Sequence, residues 1–290
     1  MSNRPFVIST DSGSDLTQAY CQENGVVCLE LSYTIAGETY TSFDPRMSYK
    51  QFYDLVRQGE MPVTQQVNPQ QFVEVWEPLL QQGNDILHIG FSSGLSGTFN
   101  SSRMAADELR EKYPEATILT IDTLAASLGQ GLLVHYAVKM KQDGTEMQEI
   151  ADWLENNKLN MVHNFTVDDL NHLHRGGRVS KATAIVGTAL GIKPALHVDN
   201  DGHLINISKV RGRKASLKWL VDRMEELVGD WENEEFFISH GDCLEEAQFV
   251  ADEVSKRFGI TKYTIGYVGP VIGAHAGPGV VALFFMGKER

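Results

Sequence analysis

Basic residues are scarce in this chain: 25 Lys and Arg stand against 38 Asp and Glu, a formal net charge of −13. Such a balance suits nucleic-acid binding poorly, because a phosphate backbone rewards clustered Lys and Arg. Cysteine is scarcer still. Cys21, Cys28 and Cys243 are odd in number and lack the spacing of a metal site. No apolar run approaches the roughly 18 residues that mark a membrane span. The opening MSNRPFVIST has no long apolar stretch before its first strand, so no signal peptide is expected and the cytoplasm is the expected location. Two catalytic signatures are missing as well. Gly94-Leu95-Ser96-Gly97-Thr98 fails the last position of the G-x-S-x-G nucleophile elbow. No lysine follows these glycines, as a P-loop requires. Hydrolase and P-loop kinase chemistry are disfavoured on those grounds.

What is present is ordinary globular composition over 290 residues, enough chain for one large domain or two ordinary ones. The chain looks organised around Asp85–Tyr113. Ile86 to Phe91 reads as a buried strand, Ser92 to Thr98 as a turn of small and hydroxyl residues. The helical pattern that follows carries Ala105, Ala106 and Leu109 on one face and stops at Pro114. A strand, a glycine-hydroxyl turn and a helix in that order present backbone N–H groups and a positive dipole end to an anion. The alternative is that the glycines merely make a tight turn.

Around this centre, Phe6–Ser9 reads as a strand, Leu16–Asn24 as a helix, and Val26–Ile35 as a single strand. Ser48 is positioned to cap a helix over Tyr49–Gln58, and another helix starts at Pro69 and ends at Gly83. Strand Thr117–Ile121 and a helix around Leu128–Met140 follow. Strands alternating with helices to about Asn156 predict a mainly parallel sheet covered on both faces, hence an α/β domain over 1–157. From 158 to 290 the texture is α+β. Met161–Val167 is strand-like, Lys181–Leu190 a small-residue helix, and Asp199-Asn-Asp-Gly202 a turn between Ala195–Val198 and His203–Val210. The helices Ala215–Val228 and Leu244–Phe258 lie among the strands Phe236–Ser239, Tyr263–Tyr267 and Val280–Met286.

Several residues draw attention, each with a plainer reading beside it. Asp11 follows the first strand, where ligands collect in open α/β sheets; it lines a site or closes an Asx turn. Asp15 or Ser14 reads as a helix cap. His172 and His174 lack a carboxylate or cysteine at ligand spacing, so structural roles are expected and no metal site is assigned. Arg175-Gly176-Gly177-Arg178 sets two guanidinium groups around a turn, suited to oxyanion recognition or simply exposed. Lys209, Arg211, Arg213 and Lys214 make a basic patch on an acidic chain, open to an acidic partner, a phosphate group or plain solvation. The Gly- and Pro-dense stretch from Gly266 to Gly279 isolates His275 among small residues, where it can hydrogen-bond an anion or carry a proton.

Taken together, these stretches resemble the DegV family of bacterial fatty-acid-binding proteins. The matching pieces are Thr10–Leu16, Ser92–Thr98, Val167–Leu170 leading into Arg175–Ser180, Gly191–Pro194, Val210–Lys214 and Gly269–Gly279. They run in family order along nearly the whole chain. The resemblance implies a two-domain fold with a long-chain fatty acid buried in the interdomain region. It implies that Thr64, Ser96 and His275 hold the carboxylate, with Gly97 beside them. Arg175, Arg211 and Arg213 are then associated with phosphate transfer or partner docking. By the same likeness the chain is not an enzyme but a FakB-like carrier that presents its acyl group to a fatty-acid kinase. The acyl phosphate feeds phospholipid synthesis, through an acyltransferase and at most transient contact with a membrane surface. No cofactor is implied beyond the fatty acid itself. The chain departs from the family pattern at Gln65, Ala274 and Ala276. A competing expectation from the residues alone is a phosphoryl-transfer or phosphate-ester enzyme using Asp11, Ser96 and Arg175.

Overall fold

The computed structural model describes residues 4–168, 170–179 and 191–290. The helix expected over Lys181–Leu190 lies outside the described residues, as do Asp169 and Ser180 of the matching motifs. The chain folds as a two-domain α/β protein with three sheets among the described residues. The first is wholly parallel, in the order β2-β1-β6-β7, from β1 (Phe6–Asp11), β2 (Val27–Leu29), β6 (Asp85–Gly90) and β7 (Ile118–Asp122). β6 is buried along its whole length, as a strand with both faces covered must be.

The stretch Val26–Ile35, expected to be one strand, is two. β2 pairs in the parallel sheet, while β3 (Ser32–Ile35) pairs antiparallel with β4 (Glu38–Thr41) and β5 (Val63–Gln65) in a separate three-stranded sheet. The chain turns at Glu30-Leu31, where the Glu30 carboxylate takes the Phe43 N–H and Ser12 Oγ takes the Leu31 N–H. Hydrophobicity continues through the break, so the pattern alone conceals it.

Local capping sets the helix starts. Ser48 and Gln51 form a capping box at α2 (Tyr49–Arg57), and Asn68 and Gln71 form another at α3 (Pro69–Gln81). The cap of α1 (Gln18–Glu23) is Thr17, not Ser14 or Asp15. Asp11 instead closes the 3₁₀ turn Ser12–Ser14, accepting from Gly13 N at 2.9 Å and Phe91 N at 2.9 Å. The central stretch folds as β6, a turn, and α4 (Thr98–Lys112).

α5 (Leu128–Gln142) joins the two halves, touching β1 and β6 on one side and the second large sheet on the other. Its first three turns bury Leu128, Leu132, Leu133, Val134, Ala137 and Val138, an all-round burial typical of a helix inside a core. Gly131 permits the approach: a Cβ there would stand 2.7 Å from the Ser14 carbonyl. α6 (Met147–Asn157) packs beside it.

The second half carries a six-stranded mixed sheet among the described residues, ordered β10-β9-β8-β13-β11-β12. Its strands are β8 (Met161–Thr166), β9 (Ile192–Val198), β10 (Leu204–Arg211), β11 (Glu235–His240), β12 (Lys262–Tyr267) and β13 (Val281–Met286). The expected hairpin is β9 and β10 joined through Asp199–His203. On one face of the sheet, α8 (Arg213–Leu227) and α9 (Leu244–Phe258) bury a core with Leu220, Met224, Val250 and Phe285. On the other, Phe165 and Phe284 share a core with Ile8 and Leu87 of the first domain. Two short helices, α7 (Asn171–Arg175) and α10 (Pro270–Ala276), complete the junction.

Candidate functional site

A cavity of about 190 Å³ lies between the domains, more than ten times the roughly 15 Å³ that one water needs. Its floor follows from the strand alternation of β8, β13 and β11. Phe165, Ala282 and Ser239 are cross-strand neighbours in one row, and His163 and Phe284 form the next. Leu31, Phe91 and Ala126 close the first-domain side, and Val271, Ile272 and Ala276 of α10 contribute another wall. The lining is chiefly apolar.

The polar lining includes the partly exposed Thr64, Ser96, Arg178 and His275 and the buried Ser127, His163 and Ser239. Thr64 stands on β5, opposite Tyr33 of β3, so the short segment between two helices is a sheet strand. Its Oγ1 lies 2.9 Å from His275 Nε2. His275 occupies the last turn of α10, a helix anchored by the Tyr53 hydroxyl donating to Val268 O at 2.7 Å. Its ring rests on Gly176, where a Cβ would collide with Nδ1. That Nδ1 is buried without a hydrogen-bond partner among the described residues. Burial, reinforced by the nearby Arg178 charge, pushes the His275 pKa down to about 4, so the imidazole is neutral at physiological pH.

Ser96 lies in the turn before α4, with Oγ 3.0 Å from Thr98 Oγ1 and accepting from Thr98 N at 3.2 Å. The turn thus satisfies one helix-start N–H itself. Gly97 caps α4 without a side chain, and a Cβ there would strike Gln66 Oε1. Gln66 Nε2 donates to Ser101 Oγ at 3.1 Å, which ties β5 to α4. Thr64, Ser96, Gly97 and His275 therefore all border one cavity.

The arginines divide differently. Arg175 is exposed, with Nη2 3.1 Å from His172 Nδ1, and does not line the cavity. Arg178 does. It donates through Nε and Nη2 to Leu95 O at 3.3 and 3.2 Å and through Nη1 to Gly176 O at 2.5 Å. All three bonds go to carbonyls, so its charge is not matched by a carboxylate among the described residues; burial lowers its pKa. Sequence reasoning could not separate two arginines flanking a Gly-Gly turn, because only the fold shows which one turns inward.

Arg211 is exposed at the end of the edge strand β10. Arg213 is engaged, gripping Glu246 with Nε at 3.0 Å from both oxygens and donating through Nη2 to Gly279 O at 2.5 Å. Neither reaches the cavity. Asp11, Ser96 and Arg175 are not brought together as a phosphoryl-transfer centre, since Asp11 is buried on backbone amides and Arg175 faces solvent. Asp199, Asp201 and His203 converge at the hairpin turn, but Asp199 Oδ1 already accepts the Asp201 and His203 N–H groups. No helix among the described residues is long and apolar enough to cross a membrane.

Comparisons with known proteins agree with this architecture. The sequence profile of the DegV family, described as uncharacterised proteins, matches residues 5–288. A DegV domain-containing protein of Clostridium perfringens strain 13 is 45% identical over 288 residues, covering 99% of each chain. A solved DegV family protein from Thermus thermophilus, described by its fatty acid binding, is similar with a TM-score of 0.87. It is 26% identical, over 98% of this chain and 99% of that one. A fatty acid binding DegV family protein from Streptococcus agalactiae gives a TM-score of 0.86 at 29% identity, over 99% of this chain and 100% of that one.

Proposed function

The chain belongs to the DegV family, and from that premise we propose that its interdomain cavity holds a long-chain fatty acid. The observation that carries the reading is a chiefly apolar cavity whose lining includes the polar set Thr64, Ser96, His275 and Arg178. Each methylene moved from water into such a lining gains about 0.8 kcal/mol, so some fifteen give a gross gain on the order of 12 kcal/mol. A carboxylate taken out of water costs several kcal/mol unless it is paired and hydrogen-bonded. Arg178 supplies the opposite charge, and the hydroxyls of Thr64 and Ser96 and an imidazole N–H supply hydrogen bonds. The tail gives affinity and the polar end gives direction.

The bound acid is presented to a separate kinase in the cytoplasm. A carboxylate oxygen attacks the γ-phosphorus of ATP held by that partner, ADP leaves, and an acyl phosphate results for phospholipid synthesis. Support comes from position: Gly97 and Arg175 are exposed beside the polar end, within a partner's reach. In this reading the ligand lies between a first domain of residues 1–157 and a second of 158–290. Exposed Arg211 contributes to docking, whereas Arg213 supports the turn at Gly279 rather than meeting the partner.

Denaturing extraction of natively purified protein, followed by mass spectrometry of the released lipid, tests the binding. Near-stoichiometric long-chain fatty acid supports it; a folded protein that is empty and refuses added fatty acid overturns it. Acyl-phosphate formation by an added kinase and ATP, lost in His275→Ala, tests the presentation.

A further inference from the structure

Two hydroxyls interrupt the apolar cavity part-way along its length. Ser239 shares its floor row with Ala282 and Phe165, between Val280 on the His275 side and the His163–Phe284 row beyond. Ser127, immediately before α5, covers it with Oγ 2.9 Å from Ser239 Oγ. Both serines border the cavity and both are buried, Ser127 at 6% exposure and Ser239 at 0%.

Ser127 is held there at some cost. Its backbone sits at φ 54°, ψ −149°, a region that a side-chain-bearing residue adopts only under constraint. Its Oγ lies 2.5 Å from Asp15 Oδ2, while Asp15 Oδ1 accepts the Gly269 N–H at 3.0 Å. A hydroxyl has one proton to give. The Ser127 hydroxyl therefore faces two acceptors, Asp15 Oδ2 and Ser239 Oγ, and serves one of them at a time. Ser239 Oγ has no other hydrogen-bond partner among the described residues, which leaves its own proton and a lone pair for the cavity.

We propose that the Ser127–Ser239 pair is a polar subsite for a hydroxyl carried part-way along the acyl chain, so that hydroxy fatty acids are ligands of this cavity. The inference rests on the fatty-acid reading above. In a purely apolar pocket the hydroxyl of such an acid would be buried without a partner and binding would weaken. Here it hydrogen-bonds Ser239 Oγ, in a cluster anchored through Ser127 by Asp15.

The test is a set of dissociation constants at pH 8 for octadecanoic acid and for hydroxyoctadecanoic acids with the hydroxyl moved stepwise along the chain. In the wild-type protein one window of positions binds within about threefold of the plain acid, and positions outside it are weaker by about tenfold or more. In Ser239→Ala, checked for folding by circular dichroism, the affinity ratio of window acid to plain acid falls about tenfold. Uniform weakening at every position, or a ratio untouched by Ser239→Ala, overturns the subsite. Those results with tight plain octadecanoic acid defeat only this inference, whereas failure of the plain acid to bind defeats the fatty-acid reading beneath it.

Discussion

Thr64 and His275, 211 positions apart in the chain, meet with Oγ1 and Nε2 at 2.9 Å across the opening of the interdomain cavity. One comes from a three-residue strand and the other from a seven-residue helix, so neither element makes the contact without the folded whole. Removing either group takes one hydrogen bond from a bound carboxylate, worth about 1.5–3 kcal/mol, or roughly 10- to 100-fold in affinity. Calorimetric titration of Thr64→Val and His275→Ala with a long-chain acid shows that loss, while the matched fatty alcohol loses less. Equal losses for acid and alcohol would mean the two residues do not read the carboxylate.

The Gly-Gly turn beside His275 distinguishes packing from backbone freedom. A methyl at Gly176 runs into His275 Nδ1, whereas Gly177 has open space but φ +72°. Gly176→Ala displaces the imidazole and weakens fatty-acid binding about tenfold or more, in line with a lost charged-group hydrogen bond. Gly177→Ala costs about 1 kcal/mol of stability through its left-handed backbone and alters binding less. Binding and thermal melts on the two variants separate these effects.

Acidification works on the fold from two sides. His275 and His88 have pKa values lowered by burial to about 4 and about 3. The unfolded chain therefore takes up protons that these groups refuse, and their contribution to stability declines as pH falls from 6.5. Asp15 runs the opposite way. Burial pushes its pKa up to about 7, outweighing the bonds from Ser127 and Gly269, so stability is lost as pH rises through 7. Asp15→Asn mimics the protonated form without that loss. The stability difference, variant minus wild type, grows by about 1–3 kcal/mol between pH 5 and pH 9; denaturant melts at the two pH values measure it. A flat difference would place the folded-state Asp15 pKa at or below about 5.

Arg290 fastens the domains together by carbonyls alone. Its guanidinium donates to Thr123 and Leu124 on the first-domain side and to Lys158, Met161 and Asp199 on the other, at 2.6–3.1 Å. Arg290→Ala leaves these carbonyls without their donor and lowers stability by about 3–5 kcal/mol, as breaking a buried charged network does. Arg290→Lys recovers only part, because an ammonium lacks the five-donor fork. Thermal or urea unfolding gives the order wild type, Lys, Ala; equal stabilities would remove the clasp from the account.

Much of the architecture is legible in the sequence where pattern and capping agree. Ser48 and Pro69 mark helix starts that the structure realises as capping boxes, and Asp199–Gly202 marks the hairpin turn. The break at Glu30-Leu31 is not legible, because it depends on Ser12 and Phe43 arriving from elsewhere in the chain. The cavity shows the same limit. Thr64, Ser96 and His275 come together only through a family resemblance, since nothing local marks a lone threonine. Arg178 rather than Arg175 turns inward because Gly176 seats against His275, a contact 99 positions away by their numbering. Ser127 and Ser239 sit among ordinary loop and strand residues and acquire meaning only when α5 crosses the second sheet.

A crystal structure of the protein with a bound long-chain fatty acid tests the central claim most directly. The account predicts carboxylate oxygens within about 3.2 Å of Thr64, Ser96 or His275, Arg178 beside them, and the chain running over Val280 and Ala282 toward Phe284. A carboxylate at the Phe284 end, or an acyl chain outside the cavity, would contradict it.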